Sequence, residues 1–203
     1  MEIACLFLTG SKRKVWGFIP VRAHTEALSI LEKVADRWPS SELAGSALMI
    51  KADYYFDTGR FLEAQLAYQD VIDTCKDISR VSSLGTSLYE TALLKSAHAT
   101  YLQYRGPYYD ASCLDDTIIR YQRYQLSFPQ QARQRGIAEE IRKIQDQQAQ
   151  KELEIADYYM RTNRIQAARF YWEIIAKRWG QTSWGQQARD HLNDNPMDTR
   201  AVQ

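Results

Sequence analysis

Catalysis and metal binding need nucleophiles, bases or ligands brought together, and this sequence offers few candidates. Cys5, Cys75 and Cys113 are odd in number and far apart, while His24, His98 and His191 stand singly. No Cys-x-x-Cys pair and no Cys/His pair at ligand spacing occurs, so the pattern points to neither a disulfide framework nor a structural zinc. Asp110, Asp115 and Asp116 could suit a divalent cation by charge alone. They stand just before a helix, however, where carboxylates act as caps and dipole partners. The sequence has no Gly-x-Ser-x-Gly, no phosphate loop, no His-Glu-x-x-His and no Gly-x-Gly-x-x-Gly opening a helix. Residues 120–124 (RYQRY) interleave arginine and tyrosine as single-strand nucleic-acid binders do. Helical spacing instead sets Tyr121 and Tyr124 on one inward stripe with the arginines outward. The doublets Tyr54-Tyr55 and Tyr158-Tyr159 fit either a stacking platform or a split between core and edge, the commoner use of such pairs. These residues imply a chain that is no enzyme and has no cofactor, metal, nucleic-acid partner or small-molecule substrate.

The composition agrees. Apolar residues make up 45% of the 203, enough for a continuous core, and the formal charge of +1 lacks the basic excess that phosphate backbones call for. Thirteen Tyr and five Trp against nine Gly suit bulky contacts between packed helices better than a loop-rich or sheet-rich fold. The apolar run at residues 3–8 is too short for a signal core or a membrane span, and the basic residues Lys12, Arg13 and Lys14 follow it instead of preceding it. Leu8-Thr9-Gly10 could open a lipoprotein cleavage box, but Ser11 stands where the lipidated cysteine must be.

The elements that position these side chains are announced by an internal repeat. Residues 52–64 (ADYYFDTGRFLEA) align with residues 156–168 (ADYYMRTNRIQAA), sharing Ala, Asp, Tyr, Tyr, Thr, Arg and the final Ala. Both run on into an amphipathic stretch, Tyr68-x-x-Val71 in one and Trp172-x-x-Ile175 in the other, and Arg37-Trp38 is echoed by Arg178-Trp179. The unit reads as helix, tight turn, helix. Small Ala52 and Ala64 allow close helix approach, and Gly59 supplies the positive φ needed past a helix end, with Asn163 in the matching place. The arrangement resembles the tetratricopeptide repeat, which implies an all-α fold of helical hairpins wound into a right-handed superhelix.

On that frame the second helices align as Ala27, Leu31, Val34; Ala64, Tyr68, Val71; Thr117, Tyr121, Tyr124; and Ala168, Trp172, Ile175, while Ala97 matches Ala52 and Ala156. Spacings beyond the ideal repeat are expected in a polar stretch at 75–85, in the loop 104–112 and in one long helix over 131–160. That helix should have a solvated middle at 145–150. The domains are expected as an irregular leader at 1–20, a repeat domain at 21–192 that begins in mid-repeat, and a flexible tail at 193–203.

Four passages resemble the BamD-type (YfiO-type) family, the lipoproteins that help assemble β-barrels in the outer membrane. They are residues 52–72; Tyr104-Arg-Gly-Pro-Tyr-Tyr-Asp110; Tyr121-x-x-Tyr124 running into Phe128-Pro129 and Ala132-Arg133; and residues 151–159 (KELEIADYY) with the helix that follows. The resemblance implies a non-enzymatic protein-binding scaffold at the periplasmic face of the outer membrane, reaching the membrane only indirectly. Its partners would be assembly-machinery components or client barrel proteins. Set beside the family pattern, residues 1–20 show no signal or lipobox, and the first one or two repeats are expected to be missing. The alternative is a tetratricopeptide adaptor for peptide segments in the cytoplasm. In such arrays the first helices line a concave groove, to which Asp53, Phe56, Asp57, His98, Tyr101, Asp157, Met160 and Arg161 are assigned. Arg105, Pro107 and Tyr108 form a candidate contact loop that fits a plain turn equally well.

Overall fold

Turn chemistry sets the helix boundaries. The structure, a computed structural model, describes residues 12–15, 19–22 and 24–195. Among them, helix α2 (Glu42–Asp57) ends where Gly59 takes φ +75°, and helix α7 (Ile137–Arg161) ends where Asn163 takes φ +58°. The two turns use the same bonds. Arg60 N–H donates to Tyr55 O at 2.9 Å and Arg164 N–H to Tyr159 O at 2.8 Å. The Thr58 hydroxyl donates to Tyr54 O at 2.8 Å, as Thr162 does to Tyr158 O at 3.0 Å. A left-handed residue followed by this six-to-one bond satisfies carbonyls that the helix end would otherwise orphan. Glycine and asparagine are favoured there because most other side chains resist positive φ.

Among the described residues the architecture is all-α, with nine helices after a short antiparallel hairpin of β1 (Lys12–Val15) and β2 (Ile19–Arg22). The remaining helices are α1 (His24–Arg37), α3 (Phe61–Ile78), α4 (Ser83–Tyr101), α5 (Ser112–Ser127), α6 (Pro129–Gln134), α8 (Ile165–Arg178) and α9 (Ser183–Asp194). Side-chain caps open three of the helices. Ser41, Ser82 and Thr182 accept from the N–H of Ala44, Gly85 and Gly185 at 3.1–3.2 Å.

The chain divides into two compact units. Unit 1 comprises residues 1–103 and 116–132, and unit 2 comprises residues 104–115 and 133–203. In unit 1, consecutive helices α1 to α4 pack side by side, and α2 also meets α4. The small-large stripe predicted from the repeat is its core. Ala27, Leu31, Ala52, Ala64, Tyr68, Val71 and Ala97 are all buried. Thr117, Tyr121 and Tyr124 of α5 are buried too, with the Tyr124 hydroxyl donating to Glu90 of α4 at 2.9 Å. The arginine-tyrosine run is therefore a helix stripe, and the Arg120 guanidinium reaches back to the Ser96 hydroxyl at 2.8 Å. In unit 2, α7, α8 and α9 enclose Leu153, Ala156, Ala168, Trp172, Ile175 and Ala188, with the His191 ring stacked on Trp172 at 4.9 Å.

Several expectations are corrected. The long helix expected over 131–160 is two helices, because Gly136 enters the left-handed region (φ +67°) and stops α6 before α7 begins. The stretch 145–150 is not a solvated surface. Ala149 is fully enclosed, and Gln148 is buried with its amide donating to the Asp115 carboxylate at 2.8 Å. The stretch 75–85 is no extended polar spacer either. Cys75 lies buried inside α3, only Ser79–Ser82 form the link, and Gly85 is already within α4. The first tyrosine doublet does not split between core and edge, since Tyr54 and Tyr55 are both half-buried. Most of the leader and residues 196–203 of the tail lie outside the described residues.

Candidate protein-binding site

In unit 1 positions shared by the two repeat copies are used internally. Asp53 on α2 accepts from the Tyr68 hydroxyl on α3 at 2.6 Å and from Lys95 Nζ on α4 at 2.8 Å, which ties three helices to one carboxylate. Burial, and then the Asp53 charge, push the Tyr68 phenol well above the usual tyrosine range. Phe56 is half-buried, with the rings of Phe61, His98 and Tyr68 at 5.8, 5.4 and 6.3 Å. Asp57 and His98 are exposed, and Tyr101 is half-buried.

Unit 2 treats the same positions differently. Its counterpart of Tyr68 is Trp172, which has no hydroxyl to offer, and Trp172 Nε1 is itself buried without a partner. Asp157, the counterpart of Asp53, consequently makes no hydrogen bond or ion pair among the described residues. It borders a cleft of about 540 Å³ between loop 104–111 and one face of α7. Pro107 and Tyr108 form one wall; Lys151, Glu154, Ile155, Tyr158 and Arg161 are among the residues of the other. The spacing 151, 154/155, 158, 161 is the i, i+3/i+4, i+7 pattern of a single helix face.

Loop and helix are held together from both ends. Lys151 Nζ donates to the Tyr109 carbonyl, so this ammonium is occupied in fixing the loop. Asp110 caps α5 by accepting from the Ser112 amide and hydroxyl, which holds its carboxyl below the usual range. Asp115, one turn further on, accepts from Gln148 on α7 and from Arg178 on α8 at 3.0 Å. Asp110 and Asp115 are thus used in different roles, and among the described residues no group of three or more His, Cys, Asp or Glu could hold a metal ion.

The cleft has an exposed aromatic rim. Tyr108 is 89% and Tyr158 53% exposed. From Tyr158 the rings continue through Tyr159 (5.6 Å) to Tyr171 (5.5 Å, stacked) and Phe170 (5.8 Å) on α8. Among the lining residues, Glu154 Oε1 accepts from the Gln150 amide at 3.4 Å, while Oε2 is buried with no hydrogen-bond partner. An unpaired buried carboxylate oxygen is costly and calls for a donor.

Two groups of residues assigned separately from sequence therefore meet here: Pro107 and Tyr108 of the loop, and Asp157 and Arg161 of the last first-helix. Arg105 is exposed on the loop without lining the cleft, and Met160 packs against the unit 2 core. Lys151, Glu154 and Ile155 were not foreseen as site residues. A signal for them exists in the repeat offset. Lys151 and Glu154 occupy the places of Ala47 and Ile50, which pack with Leu31 of α1 in the unit 1 core. Polar side chains stand where the sister repeat is apolar. In unit 1 that face of α2 is covered by α1; in unit 2 loop 104–111 stands against it and leaves the cleft open.

A second cleft, of about 580 Å³, lies among α1, α2 and α3 in unit 1 and is lined by Asp36, Asp70 and Asp73 beside the Lys51–Glu32 ion pair. Its three aspartates are exposed. No family model matches the chain, and a search of curated proteins finds no match.

Proposed function

We propose that the chain is a non-enzymatic, protein-binding scaffold of tetratricopeptide type, and that the cleft of unit 2 belongs to its binding surface. The observation that carries this reading is the exchange, within an internal repeat, of two residues packed in the core and one tied carboxylate for polar groups, of which the Asp157 carboxylate and one Glu154 oxygen have no partner. Ala47, Ile50 and the engaged Asp53 become Lys151, Glu154 and the free Asp157, beside a rim of tyrosines. Removing apolar groups from a helix face costs packing, and rigid helices present the replaced groups in fixed register. Tyrosine supplies broad contact area with little rotamer entropy to lose, as protein-binding surfaces favour.

The resemblance to the BamD-type family extends the proposal to partner and place. The partner would be a periplasmic domain of the β-barrel assembly machinery or an incoming barrel protein, met at the periplasmic face of the outer membrane. Among the described residues no helix is long and apolar enough to cross a membrane. The experiment is sedimentation of the purified chain mixed with the periplasmic domains of the assembly barrel from the same organism. A discrete complex at micromolar concentration is the expected result. Two independent boundaries at about 100 μM of each component would remove the envelope assignment.

A further inference from the structure

The unit 2 cleft has a chemical preference that can be read from its walls. We infer that it receives an arginine side chain presented by an extended segment of a partner protein; this rests on the protein-binding reading above and specifies its ligand. Two carboxylates, Glu154 and Asp157, sit one turn apart on the lining face of α7. Glu154 is held by Gln150 through one oxygen and keeps the other buried and unpaired. Asp157 has lost both donors that its counterpart Asp53 uses, the Tyr68 hydroxyl and the Lys95 ammonium. Of the two cations at the cleft, Lys151 is turned to the Tyr109 carbonyl, and Arg161 makes no ion pair with either carboxylate. Neither carboxylate is therefore ion-paired within the cleft.

Around them stand Tyr108, Tyr158 and Tyr159, with Pro107 and Ile155. A guanidinium matches this set better than any other common side chain. It is planar, stacks on tyrosine faces, and carries five donors in a rigid fork that can bridge two acceptors. A lysine ammonium is a strongly hydrated point charge that gains less from flat rings. An apolar or proline-rich segment would satisfy the tyrosines and leave the buried Glu154 oxygen without a donor. Arg161, at the far end of the face, favours a segment whose arginine is followed by a carboxylate or by the chain terminus. The ring series from Tyr158 to Phe170 gives the rest of an extended segment a surface to lie on.

The test is a titration of the full, isotope-labelled chain, followed by amide chemical shifts. The probes are the capped tripeptide acetyl-Gly-Arg-Gly-amide and its citrulline analogue, which has nearly the same shape without the charge. The arginine peptide should saturate with shifts confined to residues 107–108 and 151–161, and the citrulline peptide should bind about tenfold or more weakly, as a lost charge-assisted bond requires. Asp157→Asn and Glu154→Gln, checked for retained fold by circular dichroism, should each cost a similar factor. Equal affinity for the two peptides, unchanged affinity in both variants, or no saturation by about 10 mM overturns the inference. Failure here with an intact complex in the sedimentation experiment refutes the arginine cleft alone. Arginine binding without any protein complex supports the cleft and refutes the assigned partner.

Discussion

At Gly45 α2 lies against both α3 and α4, and a single methyl there tests the packing directly. A Cβ on Gly45 would stand 2.5 Å from Cys75 Sγ on α3 and 3.3 Å from Leu88 Cδ1 on α4. Comfortable carbon contacts begin at about 3.5 Å, so α2 and α3 must part by roughly 1 Å or Cys75 must leave its place. Overpacking costs about 1–3 kcal/mol, and a contact this short belongs in the upper part of that range, about 2–3 kcal/mol. Alanine is better than glycine inside a helix by about 1 kcal/mol, which offsets part of the cost. Gly45→Ala should therefore lose about 1–2 kcal/mol, steric strain winning over helix propensity. Cys75→Ala alone removes a buried sulfur and should lose about 1 kcal/mol. In the double variant the new methyl has the space the sulfur vacated. It should be no less stable than Cys75→Ala, giving a favourable coupling of about 1–2 kcal/mol where independent sites would simply add. Urea unfolding measures all four stabilities, with an unchanged m value confirming a common transition. A neutral Gly45→Ala, or singles that add within about 0.5 kcal/mol, would refute the close approach of α2 and α3.

Three further outcomes follow from the packing. Ala156→Trp forces an indole into a fully enclosed contact between α7 and α8 and should destabilise by at least about 1–3 kcal/mol in urea. Asp115→Ala deprives the buried Gln148 amide of its acceptor and should cost about 1–3 kcal/mol, whereas Asp116→Ala, exposed on the same helix, should cost far less. Tyr68 keeps its proton in the folded chain after the unfolded chain has released it near pH 10, so the native state binds more protons and stability must fall as pH rises through and above that value. Tyr68→Phe should flatten the alkaline fall in stability measured by urea unfolding between pH 9 and 11, values that bracket the free tyrosine range of about 10.

What could be read from sequence was local. The stripe of Ala52, Ala64, Tyr68 and Val71 follows from helical period, and Gly59 and Asn163 follow from the stereochemistry of positive φ; each needs only a few neighbouring residues. Gly136 shows the limit of that logic. A single glycine can be tolerated in a helix or can end one, and the left-handed choice depends on what α6 and α7 must pack against. Gln148 reads as solvated because its neighbours are polar, yet Asp115, distant in sequence, gives it a buried partner. The echo of Arg37-Trp38 in Arg178-Trp179 is likewise no guide to environment, since Trp38 is 50% exposed and Trp179 5%. The cleft joins a loop to a helix some 45 residues on, a juxtaposition that no local pattern encodes, although Lys151 and Glu154 stand out once set beside Ala47 and Ile50.

The central claim, that the chain works by holding a protein partner in the cleft of unit 2, is tested most directly by site-specific photocrosslinking. A benzophenone amino acid would be placed at Tyr108 and at Tyr158 on the cleft, and at Leu66, an apolar residue on α3 about as exposed as Tyr158. The account predicts crosslinks to the periplasmic domains of the assembly barrel from positions 108 and 158 and none from 66. Crosslinks from 66 with none from 108 or 158 would contradict it.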